Sequence, residues 1–170
     1  MSATDQAKDF REAMSRLASG VSLITARSVT GVSHGMLATA VTSVSATPPI
    51  LLACINRSAT MLTDLQESGA FCVNFLGADH RGLADRFLSN EGRASRFNTD
   101  SWGTLVTGTP VLESSLASLD CRLAQSIDTG THAVIFGSVV SVSVQKPEMD
   151  GPMIYFQRKY GGWIADPGKS

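Results

Sequence analysis

Three short stretches hold most of the residues whose types could do chemistry. Residues 34–45 read His-Gly-Met-Leu-Ala-Thr-Ala-Val-Thr-Ser-Val-Ser. A strand built only for packing would carry larger side chains. Here small residues and hydroxyls dominate, so another body can approach the backbone and find neutral hydrogen-bond partners. A planar ring with a polar edge suits that surface, its rim read by N–H and C=O groups and a phosphate reached by Thr or Ser. An edge strand rich in Thr and Ser reads the same way, and the residues alone leave both readings open.

The second stretch, Cys54-Ile55-Asn56-Arg57-Ser58-Ala59-Thr60, runs from an apolar strand into a helix start. Free N–H groups at a helix N-terminus attract anions. The stretch is therefore either a phosphate site or an ordinary capped turn with Arg57 as a solvated charge. The third, Gly130-Thr131-His132, opens a strand at a turn, and its histidine either faces a ligand or caps that turn. His34, read as a loop residue, and His80, at a helix start, are less pointed.

Other chemistries lack their residues. The chain has no GxGxxG after a strand, no P-loop, no GxSxG and no HExxH. Its three cysteines, Cys54, Cys72 and Cys121, show no CxxC spacing and lie inside apolar runs. A nucleophilic thiol wants an electropositive, partly exposed setting, so hydrolysis by cysteine is disfavoured. No His/Cys cluster has metal-ligand spacing, and no metal site is expected. An odd count of buried thiols and a polar start without a signal-peptide pattern point to a cytoplasmic protein.

The elements that must position these stretches follow from periodicity. Phe10, Met14 and Leu17 recur at helical spacing, predicting a helix over residues 4–19 with Gly20 as its stop. Residues 21–26 read as a strand, and residues 50–55 as the most apolar strand. Ser58 is a plausible N-cap for a short helix to residue 68, with Leu62 and Leu65 inward and Gly69 ending it. Residues 71–76 form another strand, and residues 79–88 a second short helix presenting Leu83 and Phe87. Residues 89–100 read as a polar, mobile loop. Residues 116–125 alternate, with Ala117, Leu119, Cys121 and Leu123 on a buried face and Ser118, Asp120 and Arg122 on a wet one. Residues 131–144 make a long strand, residues 147–152 a turn-rich connection, and residues 153–156 a last strand. About seven strands with peripheral helices indicate a small closed or nearly closed antiparallel β-barrel.

At 170 residues the chain fits one domain, with residues 1–8 expected to be flexible and residues 162–170 a tail. Charged residues are 17% of the total, against an average of about 25%. Fourteen basic and fifteen acidic residues leave a formal charge of −1, which excludes a generic nucleic-acid binder. No run of 18 apolar residues marks a membrane helix. So few charges for one surface suggest that part of it is hidden in an oligomer or under a ligand.

In order along the chain, these pieces resemble the flavin reductase family that supplies reduced flavin to two-component aromatic monooxygenases. The matching residues are Phe10-Arg11-Glu12-Ala13-Met14, Gly20-Val21, residues 38–45 with Pro48-Pro49, and residues 54–58. Phe71-Cys72-Val73-Asn74, Arg86-Phe87, residues 108–112 and Gly130-Thr131-His132 continue the set. The resemblance implies a mainly β split barrel of the FMN-binding type, Greek-key-like, that forms homodimers. It implies that Met36, Leu37, Ala38, Thr39 and Ala40 line the isoalloxazine of FAD or FMN, with Thr42 and Ser43 toward the ribityl and phosphate. Cys54, Ile55 and Asn56 would add ring and ribityl contacts, Ser58, Ala59 and Thr60 would hold the phosphate, and Arg86 and Phe87 would border the tail. His132, with Tyr160, would meet the nicotinamide of NADH or NADPH. The implied activity is NAD(P)H:flavin oxidoreduction, NADH preferred, with a partner monooxygenase receiving the reduced flavin. A reductase of another acceptor (a corrin or ferric iron) and a non-catalytic flavin-binding barrel are the alternatives.

Overall fold

The computed structural model describes residues 3–89, 93–144 and 151–163. It opens with helix α1 (Ala3–Ser15), followed by β1 (Ser19–Gly20), β2 (Ser22–Arg27), β3 (Ser33–Ala38), β4 (Val41–Ala46) and β5 (Pro49–Asn56). Helix α2 (Thr60–Ser68) leads to β6 (Ala70–Phe75), a 3₁₀ turn at Ala78–His80 and helix α3 (Arg81–Leu88). A second 3₁₀ turn (Arg93–Ser95) precedes β7 (Trp102–Thr104), β8 (Pro110–Leu112), β9 (Ala117–Thr129) and β10 (His132–Val144). The described chain ends with β11 (Met153–Phe156) and β12 (Lys159–Gly162).

Seven strands form one antiparallel sheet in the order β3-β2-β6-β9-β10-β5-β4. Its two edge strands, β3 and β4, are consecutive in the chain, so the sheet curls into the expected split barrel without a ladder between its edges. β2 explains why: it is buried on both faces, and alternate residues serve two cores. Ile24 and Ala26 pack with Leu51, Ile55, Leu65, Phe71 and Ile135. Val21 and Leu23 pack with Leu76, Leu83, Phe87, Leu112 and Met153. A small sheet, β1-β11-β12, covers the second core and ties residue 19 to residue 155.

Several expectations need correction. α1 starts at Ala3 and ends at Ser15, short of residue 19; its Phe10, Met14 and the following Leu17 are exposed. Residues 35–45 are two strands, not one, and His34 lies in β3. β12 was missed because Lys-Tyr-Gly-Gly carries no alternating pattern. Ser58 is not the cap of α2: Ala59 holds that position without a side-chain bond. Gly69 does end α2 in the left-handed region, φ 68°, which only glycine enters at little cost. The expected turn at residues 147–152 lies mostly outside the described residues.

The largest departure is on β9. Ser118 and Asp120, expected to be wet, are 1% and 0% exposed. Both are supplied with partners from distant loops. Asp120 accepts from the Thr107 N–H at 2.8 Å and from the Thr107 and Thr109 hydroxyls at 2.5 and 3.2 Å. Ser118 donates to Asn74 Oδ1 at 2.8 Å, which also accepts the Leu112 N–H at 2.9 Å. The Asn74 amide donates to Leu23 O at 3.0 Å and Thr25 Oγ1 at 3.3 Å. Buried polar groups paired this fully specify how β2, β6, β8 and β9 meet.

Candidate functional site

The fold brings the three chemical stretches to one end of the large sheet. His132 opens β10 opposite Asn56 at the end of β5. The Arg57 N–H donates to Thr131 O at 3.0 Å, and the Arg57 guanidinium reaches Gly130 O at 3.3 Å and Asp128 at 3.4 Å. The Cys54 N–H donates to Ala40 O at 3.0 Å, joining the turn between β3 and β4 to β5. Arg57 is thus neither a ligand nor an idle surface charge; it staples the β5 end to the β9–β10 turn.

Just before α2, which no side chain caps, Asn56 forms a turn with Ser58. Its Oδ1 accepts the Ser58 N–H at 2.9 Å and the Ser58 hydroxyl at 2.8 Å, a local turn that sets up the helix. Thr60, the first helical residue, is exposed, and its N–H belongs to the first turn, where no intrahelical acceptor exists.

From this helix start a cleft of about 830 Å³ opens between α2, β3 and α3. Met36, Leu37, Ala59, Thr60 and Phe87 line it, as does Gly35. Phe87 is braced by Phe97 in an edge-on contact at 5.6 Å, and Phe97 by Trp102 at 4.7 Å. Gly35 is required by this packing, because a Cβ there would stand 2.6 Å from the Phe87 ring. Three side chains with basic nitrogens on the lining were missed or passed over: His34, Arg93 and Arg96. His34 pairs with Asp64 of α2 at 3.3 Å. The Arg-x-x-Arg-Phe spacing at 93–97, two cations and an aromatic within five residues, was the available signal in a segment read only as a loop.

The other named residues fall elsewhere. Thr39, Thr42 and Ser43 line a second cleft of about 640 Å³ with Val41, Phe75 and Leu119. Ala40 is exposed at the turn between them, whereas Ala38 is buried. Cys54 is half-buried, and Ile55, fully buried, gives its side chain to the core. Arg86 turns from the first cleft and pairs with Asp100. His132 is exposed, its Nδ1 2.9 Å from the Thr131 hydroxyl. Tyr160 sits on the small sheet, 5.0 Å from Tyr155 between ring centres and under the Arg81 guanidinium at 4.5 Å. Burial pushes its phenol up, Tyr155 adds to this, and Arg81 opposes it.

The thiols are unsuited to nucleophilic work. Burial, reinforced by Asp120, pushes Cys121 up to about 12 and Cys72 higher still. Among the described residues no group of three or more His, Cys, Asp or Glu is placed to hold a metal ion, and no helix is long and apolar enough to cross a membrane.

Fold and site together define an antiparallel split barrel whose cleft suits an elongated ligand, aromatic along its wall and anionic at the helix start. Comparison with known proteins makes this specific. Residues 14–163 match the model of the flavin reductase like domain, and the chain belongs to that family. It is 39% identical over 158 residues to the FMN reductase (NADH) RutF of Agrobacterium fabrum, covering 93% of this chain and 89% of that one. The nitrilotriacetate monooxygenase component B homologue of Mycobacterium thermoresistibile superimposes with a TM-score of 0.89 at 26% identity, over 99% of this chain and 94% of that one. BorF, the flavin reductase component of a bacterial two-component tryptophan halogenase, gives 0.84 at 27% identity, over 94% and 99%.

Proposed function

We propose that this chain is an NADH-dependent flavin reductase that binds FAD or FMN and hands reduced flavin to a partner oxygenase. The observation that carries the reading is the cleft itself, in which an aromatic wall meets a helix start within the matched family domain. Its residues fit a flavin. The missing Cβ at Gly35 lets Phe87 stand close to β3, leaving room beside Met36 and Leu37. Thr60 offers its hydroxyl and backbone N–H for a phosphate, while Ser58 and Ala59, whose N–H groups donate to Asn56, shape the turn that presents it. Thr39 and Ala40 on the β3–β4 turn, and Thr42 and Ser43 on β4, offer further neutral hydrogen-bond partners beside β5, which carries Cys54 and Ile55.

When bound, the flavin supplies the acceptor for the hydride of the reduced nicotinamide, chemistry the side chains do not themselves perform. What the residues contribute is position. Thr131 engages Nδ1 of His132, which leaves Nε2 as the nitrogen offered to a nicotinamide carboxamide. Asn56, opposite His132, fixes the helix start, so the nicotinamide-facing and phosphate-facing groups share one rigid frame. Holding two rings in register contributes several kcal/mol through orientation alone. Tyr160, on the small sheet, is assigned to the nicotinamide side.

A cytoplasmic homodimer completes the proposal. The exposed stripe of Phe10, Met14 and Leu17, with Val44, Val142 and Val144 on the strands, supports a second copy as their cover. The names of the monooxygenase and halogenase components support an oxygenase as the receiver. The test is NADH oxidation, followed at the nicotinamide absorbance, with FAD, FMN and riboflavin added in turn. Stimulation by at least one flavin is expected; none with any of them removes the reading.

A further inference from the structure

The lining of the first cleft holds more cationic character than one phosphate at a helix start requires. Its volume, about 830 Å³, lies in the upper part of the ~300–1,000 Å³ range of small-ligand sites. At the end formed by residues 93–98 stand Arg93, Arg96, Phe97 and Asn98, on a segment separate from α2. Arg57, Arg81, Arg86 and Arg158 each face a carboxylate. Arg96 does not, among the described residues: its Nε donates to Arg86 O at 3.1 Å and its Nη2 to Ser89 O. Those carbonyls and the Phe87 ring, 5.3 Å away, hold the guanidinium in place without neutralising it. Burial lowers the pKa of Arg96 from its ordinary value, and the charge of Arg93 adds to this. An anion lying against both would relieve the strain, and a guanidinium fork matches phosphate oxygens.

We infer that Arg96, with Arg93 beside it, reads the second phosphoryl group of a dinucleotide flavin, so this chain holds FAD more tightly than FMN. The inference rests on the flavin reading above and narrows it. The curated relative named above is called an FMN reductase; the arginine pair gives this chain the means to hold the longer flavin. Phe97, half-exposed beside the pair, is placed to meet the adenosine half. Arg86, the residue expected to border the tail, instead supplies through its carbonyl the ledge on which Arg96 rests.

The experiment is equilibrium titration of the full chain with riboflavin, FMN and FAD, read by flavin fluorescence, with ADP-ribose as competitor. The wild type should bind FAD several-fold more tightly than FMN. Arg96→Gln should weaken FAD about tenfold and FMN less than twofold, and Arg93→Gln should do the same more mildly. Arg96→Lys, which keeps the charge and loses the fork, should fall between. Equal losses for FMN and FAD would overturn the inference, because the arginines would then serve the phosphate common to both. Unchanged FAD binding in both glutamine variants would overturn it as well. If ADP-ribose competition is lost while flavin binding is kept, the diphosphate belongs to the nicotinamide nucleotide and the inference is wrong. A wild type that binds none of the three flavins removes the proposed function itself, and this inference with it. Should Arg96→Gln melt early through loss of its carbonyl contacts, Arg93→Gln carries the same comparison on an intact fold.

Discussion

Gly35→Ala is the sharpest probe of the cleft wall. The new methyl would sit 2.6 Å from Phe87 Cε1, where ordinary contact begins at 3.4 Å, and it would touch Ile24 O and Leu23 Cδ1 at 3.4 Å. The backbone side cannot yield without breaking the β2–β3 ladder, so the ring must move. It cannot move freely, because Phe97 meets it edge-on at 5.6 Å and Trp102 stands 6.4 Å away. Overpacking of this kind costs about 1–3 kcal/mol. For a chain of this length that lowers the melting temperature by roughly 2–12 °C. Because Phe87 lines the cleft, flavin affinity should fall with stability, by about tenfold, equivalent to about 1.4 kcal/mol. The assay pairs thermal melts without ligand with flavin titration at a temperature where the variant is folded. Gly82→Ala is the control: its Cβ would meet nothing within 4 Å, and a helical alanine should stabilise by about 0.5 kcal/mol. A Gly35→Ala protein that melts and binds like the wild type would refute the account of the wall.

Three further outcomes follow from the same geometry. His132→Ala should slow flavin reduction by NADH about tenfold in stopped flow, with flavin affinity within twofold of the wild type; a loss of flavin affinity instead would place the residue on the flavin. Asn74→Ala takes a partner from the buried Leu112 N–H, the Leu23 carbonyl and the Ser118 hydroxyl, which keeps Ser115, and should cost roughly 3–5 kcal/mol in urea unfolding. The raised thiol pKa values fix a direction with pH: folded Cys121 keeps its proton up to about 12, while an unfolded thiol releases it near 9.0. That stabilisation is complete below about pH 9 and is lost as the pH rises toward 12, so urea midpoints should fall across this window. Cys121→Ala should flatten the fall.

Much of the barrel was legible because strands such as β6 and β10 carry long β-branched or aromatic runs between clear turns. The failures have physical causes. Ser118 and Asp120 read as a wet face because their partners, Asn74, Thr107 and Thr109, arrive from segments that no local pattern connects. α1 shows a core-like stripe, yet Phe10 and Met14 face outward, since amphipathicity tells that a face will be covered and not by what. At the site, residues 54–60 and 130–132 could be named separately, but not their stapling through Arg57, which depends on β5–β10 register. The cationic end of the cleft was illegible for a similar reason. Arg86 and Arg96 are equally plausible by type, and only Asp100 decides which of them is spent on a carboxylate.

The pairing of β1 with β11 bears on how the protein is made. Ser19 and Gly20 leave the ribosome long before their partners Tyr155 and Ile154. Until then Val21 and Leu76 lack the Met153 that caps their cluster, and Ser15 lacks the Gln157 N–H it accepts. Contacts this distant in sequence form slowly and last. Until residues 153–156 are made, the second core keeps an open apolar seam, so its closure waits on the small sheet.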